Sequence, residues 1–576
     1  MAATGSSSAV WNGERAVVAL FVFRVVFSWP PSLAPETLAL LLLALAGLLL
    51  EIRAERSDSL AQFKTRPGAS SGILLGAVTL PTVMLSRLIQ QSRAVLSNDI
   101  GHQEVEYLTM QYWYVSVSCF GVLAFLSFIS WHQDNRAAQL HAQGTSGLKF
   151  KLFCVAIYAT LCFMSLATKS HSGLHLAMKL IWVFSHGLAA IKLIQHILCV
   201  FPSCASIGEA LLVTAGLVLY FGDMLVYSLA KINLYLTSST SMSVLYGIKR
   251  TEISTIIQGL LIALIVFPLI YKFILKICHQ LTHSINQEGH PTGERTSEDV
   301  EKSIIFYVSL AVILILLVPL WMEFIQEFHM HPFLWIFNFV FTEPLKRLTL
   351  CMYWISVISA SVLRFYNISK HSKIERILLR KYYHLVAVLM FSPALIFQPN
   401  FLDLAFGAAL AVFLMLEVIR VWRIWPIGKQ IHQFMNAFAD HRDSDLLIVS
   451  HFSLLLGCAL PKWMCSEFND RPLAPFAGIL SLGIGDTMAS MVGHKYGVLR
   501  WSKTGKKTVE GTAAGITSVL VACSVLLPLV ASTGFILSQH WLSLVFAVTV
   551  SGLLEAYTAQ LDNAFIPLVF YSLLCL

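Results

Sequence analysis

Apolar residues fall along this chain in long runs separated by short polar stretches, the pattern of helices that cross hydrocarbon and not of helices packed in water. After a short polar opening, an apolar run from Ala16 to Trp29 stops at Pro30 and Pro31. No clear cleavage site follows and a second run, Ala34 to Leu50, comes at once, so the first is read as a retained segment. The pattern predicts further spans at Gly72–Ile89, Met110–Trp131, Phe150–Thr168, Leu176–Phe201, Leu211–Leu229, Ile253–Leu275, Ile304–Ile325 and Phe333–Phe341. It then predicts Leu348–Leu363, Tyr382–Phe397, Leu402–Val421, Leu446–Leu460, Phe476–Val492, Thr512–Ser532 and Trp541–Leu554. The expected fold is all-α, a polytopic integral membrane protein with roughly 15 transmembrane helices.

One sizeable hydrophilic stretch interrupts the middle of the chain, from Lys276 to Lys302, and reads as a disordered or surface loop between two helical bundles. It divides the chain into an amino-terminal multi-span region, 1–300, and a carboxy-terminal multi-span region, 301–576. The first region offers no constellation that converts to chemistry. Asp223 and Lys231, within or beside an apolar run, are its exceptions, as a functional charge, a structural pair or residues near a span end.

Composition agrees with the pattern. At 56% hydrophobic and 12% charged residues, with mean hydropathy +0.71, the chain lies outside the soluble globular class. The net charge of +8 sits in loops between spans, which suits the cytosol and anionic lipid and not nucleic acid. The eleven cysteines are scattered with no CxxC pair, which argues against a disulfide framework or a zinc site.

Charge also orients the second region. Arg364, Lys370, Lys373, Arg376, Arg380 and Lys381 crowd one loop opposed by Glu375 alone, which the positive-inside rule places in the cytosol. Counting spans two at a time puts Arg420 to Arg442, Lys495 to Lys507 and Glu555 to Asn563 on the same face. The Asn367-Ile368-Ser369 sequon lies there too and is expected to be unglycosylated.

The stretch GIGDTMASMVGHKYGVLRWSKTGKKTVEG, Gly483 to Gly511, carries the most chemistry. A carboxylate, Asp486, stands near a membrane surface just after Gly483 and Gly485, and a basic, glycine-punctuated loop follows with Lys506, Lys507, Thr508, Glu510 and Gly511. Such a loop suits phosphate and a divalent cation. Phosphoryl transfer needs a metal-binding carboxylate, cations on phosphate oxygens, close backbone approach and a group to orient the attacking hydroxyl. Asp486 with Glu510 or an aspartate of the Asp440–Asp445 run fits the first need, and Lys506 and Lys507 the second. Gly493 and Gly497 fit the third, and Glu510, Asp443 or His384 the fourth. Blander readings stand beside these. Ala489, Gly493 and Gly497 recur every fourth residue, a face of small residues for helix packing. The lysines suit a membrane anchor, Asp443 and Ser444 suit a cap on a helix beginning at Leu446, and Glu417 and His451 suit satisfied buried polar groups.

At these residues the chain resembles the polyprenol kinase family. The family pattern of Asp, then Ala, Gly and Gly at fixed intervals, then Lys-Lys-Thr-x-Glu-Gly, is matched by Asp486, Ala489, Gly493, Gly497, Lys506, Lys507, Thr508, Glu510 and Gly511. Glu555-Ala556-x-Thr558-x-Gln560-x-Asp562-Asn563 with Pro567 resembles the family's ending, and the likeness covers about Arg380 to Leu576. The resemblance implies a multi-pass endoplasmic reticulum enzyme with its site toward the cytosol. It implies transfer of the γ-phosphate of CTP to dolichol, making dolichyl phosphate for N-glycosylation and related mannose transfers. It also implies that Gly485, Ala489, Gly493, Gly497, Thr508, Gly511, Gln560, Asp562 and Asn563 line the nucleotide site with the two lysines. Asp486 and Glu510 would then hold a divalent cation, Mg²⁺ being expected.

Related CTP-using kinases of phytol and diacylglycerol share the core motif but are much shorter. A phosphatidate cytidylyltransferase is expected to end in a His-Gly-Gly and an aspartate pair flanking an arginine, where this chain has Glu555 to Asn563. A lipid transporter or scramblase predicts ionisable residues spread through the midplane in repeated halves, whereas here they collect at one surface of one half. The expected partners are the prenol substrate and membrane lipids, with no nucleic acid. The amino-terminal half is left with two roles, a lipid-binding groove or a homodimer interface.

Overall fold

The computed structural model describes residues 12–57, 60, 62–96, 102–137, 145–168, 173–237, 250–285, 295–371, 376–437, 443, 446–465, 470–501, 507–532 and 540–576. Helices α1 to α7 are Gly13–Phe27, Ala34–Ser57, Ile73–Leu96, His102–Ala137, Thr145–Thr168, Gly173–Val200 and Ile207–Thr237. Helices α8 to α14 are Glu252–Ile285, Arg295–Val312, Val318–Ile325, Pro332–Thr342, Pro344–His371, Arg376–Phe397 and Pro399–Trp422. Helices α15 to α20 are Gly428–Ala437, Val449–Met464, Thr487–Tyr496, Val509–Ser532, Trp541–Tyr557 and Asp562–Leu574. The protein is an all-α polytopic membrane protein, since a helix satisfies its own backbone groups where no water can. Among the described residues, nine helices are long and apolar enough to cross a membrane, and six shorter apolar helices accompany them.

The chain forms two compact units, each built from separate stretches. One comprises Met1–Gly222, Val357–Ile396 and Gly457–Leu576, and the other Asp223–Ser356 and Phe397–Leu456. In the first, α3 is the central post, packed against α1, α2, α4 and α20. Its position explains its composition. Thr79, Thr82, Ser86, Gln90 and Gln91 are all buried in α3, and Ser86 Oγ lies 2.7 Å from Ser572 Oγ of α20. A span that faces protein on all sides can carry such groups where a lipid-facing one cannot. The span at α3 accordingly has mean hydropathy 1.5 and is 94% buried, against 2.2 and 28% for α18. The Arg15–Glu51 pair, at 2.8 Å, ties α1 to α2, and Glu51 Oε2 accepts the Leu74 N–H at 2.8 Å in the first turn of α3.

In the second unit α8 packs on α14 and α10. Asp223 is paired with Arg250, not Lys231; Gln258 donates to the same carboxylate at 3.0 Å, and the guanidinium lies 4.1 Å from the Tyr227 ring centroid. Buried Glu417 is satisfied by Arg420 at 2.7 Å and the Ile448 N–H at 2.9 Å. The His451 side chain lies outside what is described.

Three differences from the sequence pattern have physical reasons. The stretch Lys276–Lys302, expected to be a loop, is entered by helix from both sides, to Ile285 in α8 and from Arg295 in α9. Polar helix-forming residues prolong a helix past its apolar part without changing the hydropathy signal. The short α15 carries too little apolar sequence to register as a span, and the 13 residues of α20 reach only about 20 Å. No disulfide joins any of the cysteines.

Candidate active site

Asp486 stands where a π-helical stretch, Ile479–Asp486, hands over to α17. Such wide turns recur at functional sites because they re-aim one side chain out of the α-helical register. Two residues of α13 meet the carboxylate. Lys381 donates to Asp486 Oδ2, and His384 Nδ1 lies 3.0 Å from the same oxygen. Their spacing of three residues puts both on one face of α13. The Asp486 and His384 side chains are only 3% and 5% exposed. Ser490 Oγ is 3.5 Å from Oδ1, and Thr487 Oγ1 donates to the Lys381 carbonyl at 3.3 Å. Gly483 permits this approach, because a Cβ there would stand 2.2 Å from Val388 Cγ2 of α13.

Buried charge must be balanced by neighbours, and further charges converge on the pair. Lys381 feels Asp562 and Glu555 as well as Asp486, while Glu555 feels Asp486, Lys507, Lys381 and Asp562. The Lys507 ammonium donates to the Glu555 carbonyl at the end of α19. Three carboxylates thus face two ammonium groups and a histidine, drawn from α13, the π-helical stretch and the ends of α18, α19 and α20. Glu555 also lines a narrow cleft whose walls include Gly485, Gly515 and Gly552 and the apolar side chains of Ile516, Val519 and Phe570.

The loop between α17 and α18 is pinched shut at its base. The Val509 N–H donates to Leu499 O at 2.8 Å and the Trp501 N–H to Lys507 O at 3.2 Å. The Trp501 indole donates to Thr512 Oγ1 at 2.9 Å and lies 5.1 Å from the Tyr557 ring. Glu510 serves this pinch: its two oxygens accept the Leu499 N–H at 3.0 and 3.2 Å. The small residues form the α17–α18 crossing. A Cβ at Gly511 would be 2.6 Å from Ala489 O, one at Gly497 2.6 Å from Thr508 Oγ1, and one at Gly515 3.0 Å from Gly485 O.

A family model described as Dolichol kinase matches residues 295–470. Dolichol kinase EVAN of Arabidopsis thaliana is 60% identical over 566 residues, which cover 98% of each chain. The chain belongs to the dolichol kinase family. The human dolichol kinase is 35% identical over 288 residues, 47% of this chain and 52% of that one. The Saccharomyces cerevisiae dolichol kinase is 32% identical over 240 residues, 41% and 43% of the two chains. No solved structure matches.

For this family member the residues singled out by sequence sort as follows. The structure brings together Asp486, His384, Lys507 and Asp562, and adds Lys381 and Glu555. Asp443 belongs to the other unit, where its carboxylate accepts the Ser450 N–H at 3.0 Å and hydroxyl at 2.6 Å, in the first turn of α16. Glu510, Gly485, Ala489, Gly493, Gly497, Thr508 and Gly511 build the loop base and the helix crossing. Gln560 donates to Ser70 O at 3.0 Å, and Asn563 is buried at the start of α20. Lys506, Asp440, Arg442, Ser444 and Asp445 lie outside the described residues. Lys381 and Glu555 carried signals in the sequence: the Lys381-x-x-His384 spacing at a helix entry, and the acidic head of the ending motif.

Among the described residues, no group of three or more His, Cys, Asp or Glu side chains is arranged to hold a metal ion. Mg²⁺ in phosphoryl-transfer sites is held by one or two carboxylates together with substrate phosphates and water. An acidic excess around Asp486, with Oδ1 lightly engaged, fits that shared mode and not a protein cage.

Proposed function

We propose that this protein transfers the γ-phosphoryl group of CTP to the terminal hydroxyl of dolichol, at the cytosolic face of the endoplasmic reticulum membrane. Dolichyl phosphate would then serve protein N-glycosylation and related mannose transfers. The observation that carries the reading is the meeting of Asp486, Lys381, His384, Lys507, Glu555 and Asp562 beside an apolar cleft, in a chain of the dolichol kinase family. CTP as donor, and the compartment, come from the resemblance of the Asp486–Gly511 motif.

Each group has a role that its position supports. Lys507 offsets charge on the phosphates as a point cation, a role that the sequence motif also gives to Lys506. Asp486, with Asp562, would hold Mg²⁺, which when bound would supply charge neutralisation for the transferred group. His384, at Asp486 Oδ2, acts as a positioning residue that fixes the carboxylate. Glu555 lines the cleft by which an apolar alcohol would arrive, so it takes the hydroxyl proton. As the hydroxyl oxygen bonds to the γ-phosphorus, the bond to the β–γ bridging oxygen breaks and its electron pair leaves with CDP.

The test offers γ-labelled CTP or ATP separately to purified protein in lipid, with dolichol, phytol or diacylglycerol as acceptor. Label on dolichol from CTP is expected. Label from ATP alone would overturn the donor, label on another alcohol the acceptor, and no label on any lipid the kinase reading itself.

A further inference from the structure

Four residues, Thr558–Leu561, join α19 to α20, and the last three of them, Ala559–Leu561, sit between two carboxylates of the site, Glu555 and Asp562. Their polar groups are held by the amino-terminal stretch of the same unit. Arg66 Nη2 donates to Ala559 O at 3.1 Å, and the Leu561 N–H donates to Glu209 Oε1 at 2.7 Å. Gln560 donates from Nε2 to Ser70 O and Oγ, at 3.0 and 2.8 Å, and accepts from the Ser206 hydroxyl at Oε1.

Glu209 is the centre of this contact. With Ser206 it forms a capping box at the start of α7: Ser206 Oγ accepts the Glu209 N–H at 3.1 Å, and Glu209 Oε2 accepts the Ser206 N–H at 2.8 Å. A capping box needs neither Leu561 nor Arg66, whose guanidinium reaches Glu209 Oε1 at 2.5 Å. Arg66, Glu209 and Gln560 are 5%, 3% and 1% exposed. Gly72 and Gly208 remove any slack: a Cβ at Gly72, where φ is +61°, would stand 2.4 Å from Gln560 Cδ, and one at Gly208 1.9 Å from Gly72 O. A water-exposed turn at a membrane surface would satisfy the same backbone groups at lower cost, because a buried ion pair contributes little net stability. What the buried arrangement adds is fixed geometry.

We propose that Arg66, Ser70, Ser206 and Glu209 form a positioning clamp which sets Glu555 and Asp562 against Lys381 and Asp486, giving the amino-terminal half a part in the active site. The proposal rests on the phosphotransfer reading for its effect on rate, though not for its effect on structure. The experiment therefore has two arms on the full-length protein in lipid. In the first, hydrogen exchange is compared between wild type and Glu209→Ala, Glu209→Gln and Gln560→Ala. The segment 555–563 is expected to exchange at least about tenfold faster in Glu209→Ala, less so in Glu209→Gln, which keeps the acceptor, with α18 unchanged. Unchanged exchange in that segment, or a uniform rise throughout the unit, overturns the clamp.

In the second arm, kcat and KM are measured per folded protein. Both alanine variants are expected to lose about tenfold or more in kcat with CTP KM within about twofold, and Glu209→Gln to recover part of it. Equal loss in Glu209→Gln and Glu209→Ala, or normal kcat in Gln560→Ala with 555–563 loosened, overturns the positioning role. If Glu209→Ala fails to accumulate, Gln560→Ala, which leaves the Arg66–Glu209 pair intact, decides. Wild type without turnover would count against the kinase reading alone, since the exchange arm still tests the clamp.

Discussion

Glu14 shows how one buried carboxyl ties stability to pH. It stands ahead of the first apolar segment, and burial, with the negative charge of Glu51 adding to it, pushes its pKa up to about 7, while hydrogen bonds from Ala559 and Ser70 and the charge of Arg15 pull the other way. In the unfolded chain the group titrates near 4.5. A carboxyl raised on folding contributes fully below its unfolded pKa, and that contribution is lost as pH rises to the folded value. Glu14→Gln is therefore expected to flatten a fall in melting temperature between pH 4.5 and 7, a difference on the order of 3 kcal/mol at most. Identical pH profiles for variant and wild type would remove the assignment. Lys507 makes a second prediction at this scale. Lys507→Ala should raise the KM for CTP about tenfold, with a smaller change in kcat, because a phosphate-binding cation acts on ground and transition states alike. An unchanged KM would leave the ammonium as a prop for the Glu555 carbonyl.

Among elements, the crossing of α17 and α18 explains the glycines of the motif. Their four-residue spacing was legible in the sequence both as a packing face and as a site for close phosphate approach, and the structure fills that face with Thr508, Gly511 and Gly515. Gly511→Val would drive a side chain into the Ala489 carbonyl, which backbone cannot yield cheaply. Loss of folded protein is expected, costing roughly 1–3 kcal/mol or more, read as lower melting temperature in detergent. Normal stability with weakened CTP binding would instead give the glycine to the nucleotide. Asp486 was legible because it stands alone among apolar and glycine residues, but its partners were not equally so. Lys381 lies 105 positions away, and only the fold of α13 against the π-helical stretch brings it in. Glu510 and Asp443 were offered as chemical groups by residue type; local hydrogen bonds, to Leu499 and Ser450, show how polar residues at helix starts satisfy backbone groups first.

For the whole molecule, apolar runs were enough to establish an all-α membrane protein, because only helices satisfy their backbones in lipid without closing a barrel. They were not enough to bound its helices, since α8 and α9 continue into polar sequence. Nor could they reveal the amino-terminal clamp, whose Glu209–Leu561 contact joins residues 352 positions apart with no local pattern beyond a capping box. The orientation argued from positive charge predicts that a cysteine placed at Thr504, in the loop before Lys506, reacts with a membrane-impermeant reagent from the cytosolic side of sealed microsomes. Reaction from the lumenal side alone would invert the topology.

The claim on which most of this depends is that Asp486 is the centre of phosphoryl transfer. It is tested most directly by the turnover of Asp486→Asn, with CTP and dolichol, normalised to folded protein. A kcat at least about 10³-fold below wild type is expected, with abundance and melting temperature near normal. Activity within about tenfold of wild type, or loss of activity only in step with loss of folded protein, would contradict it.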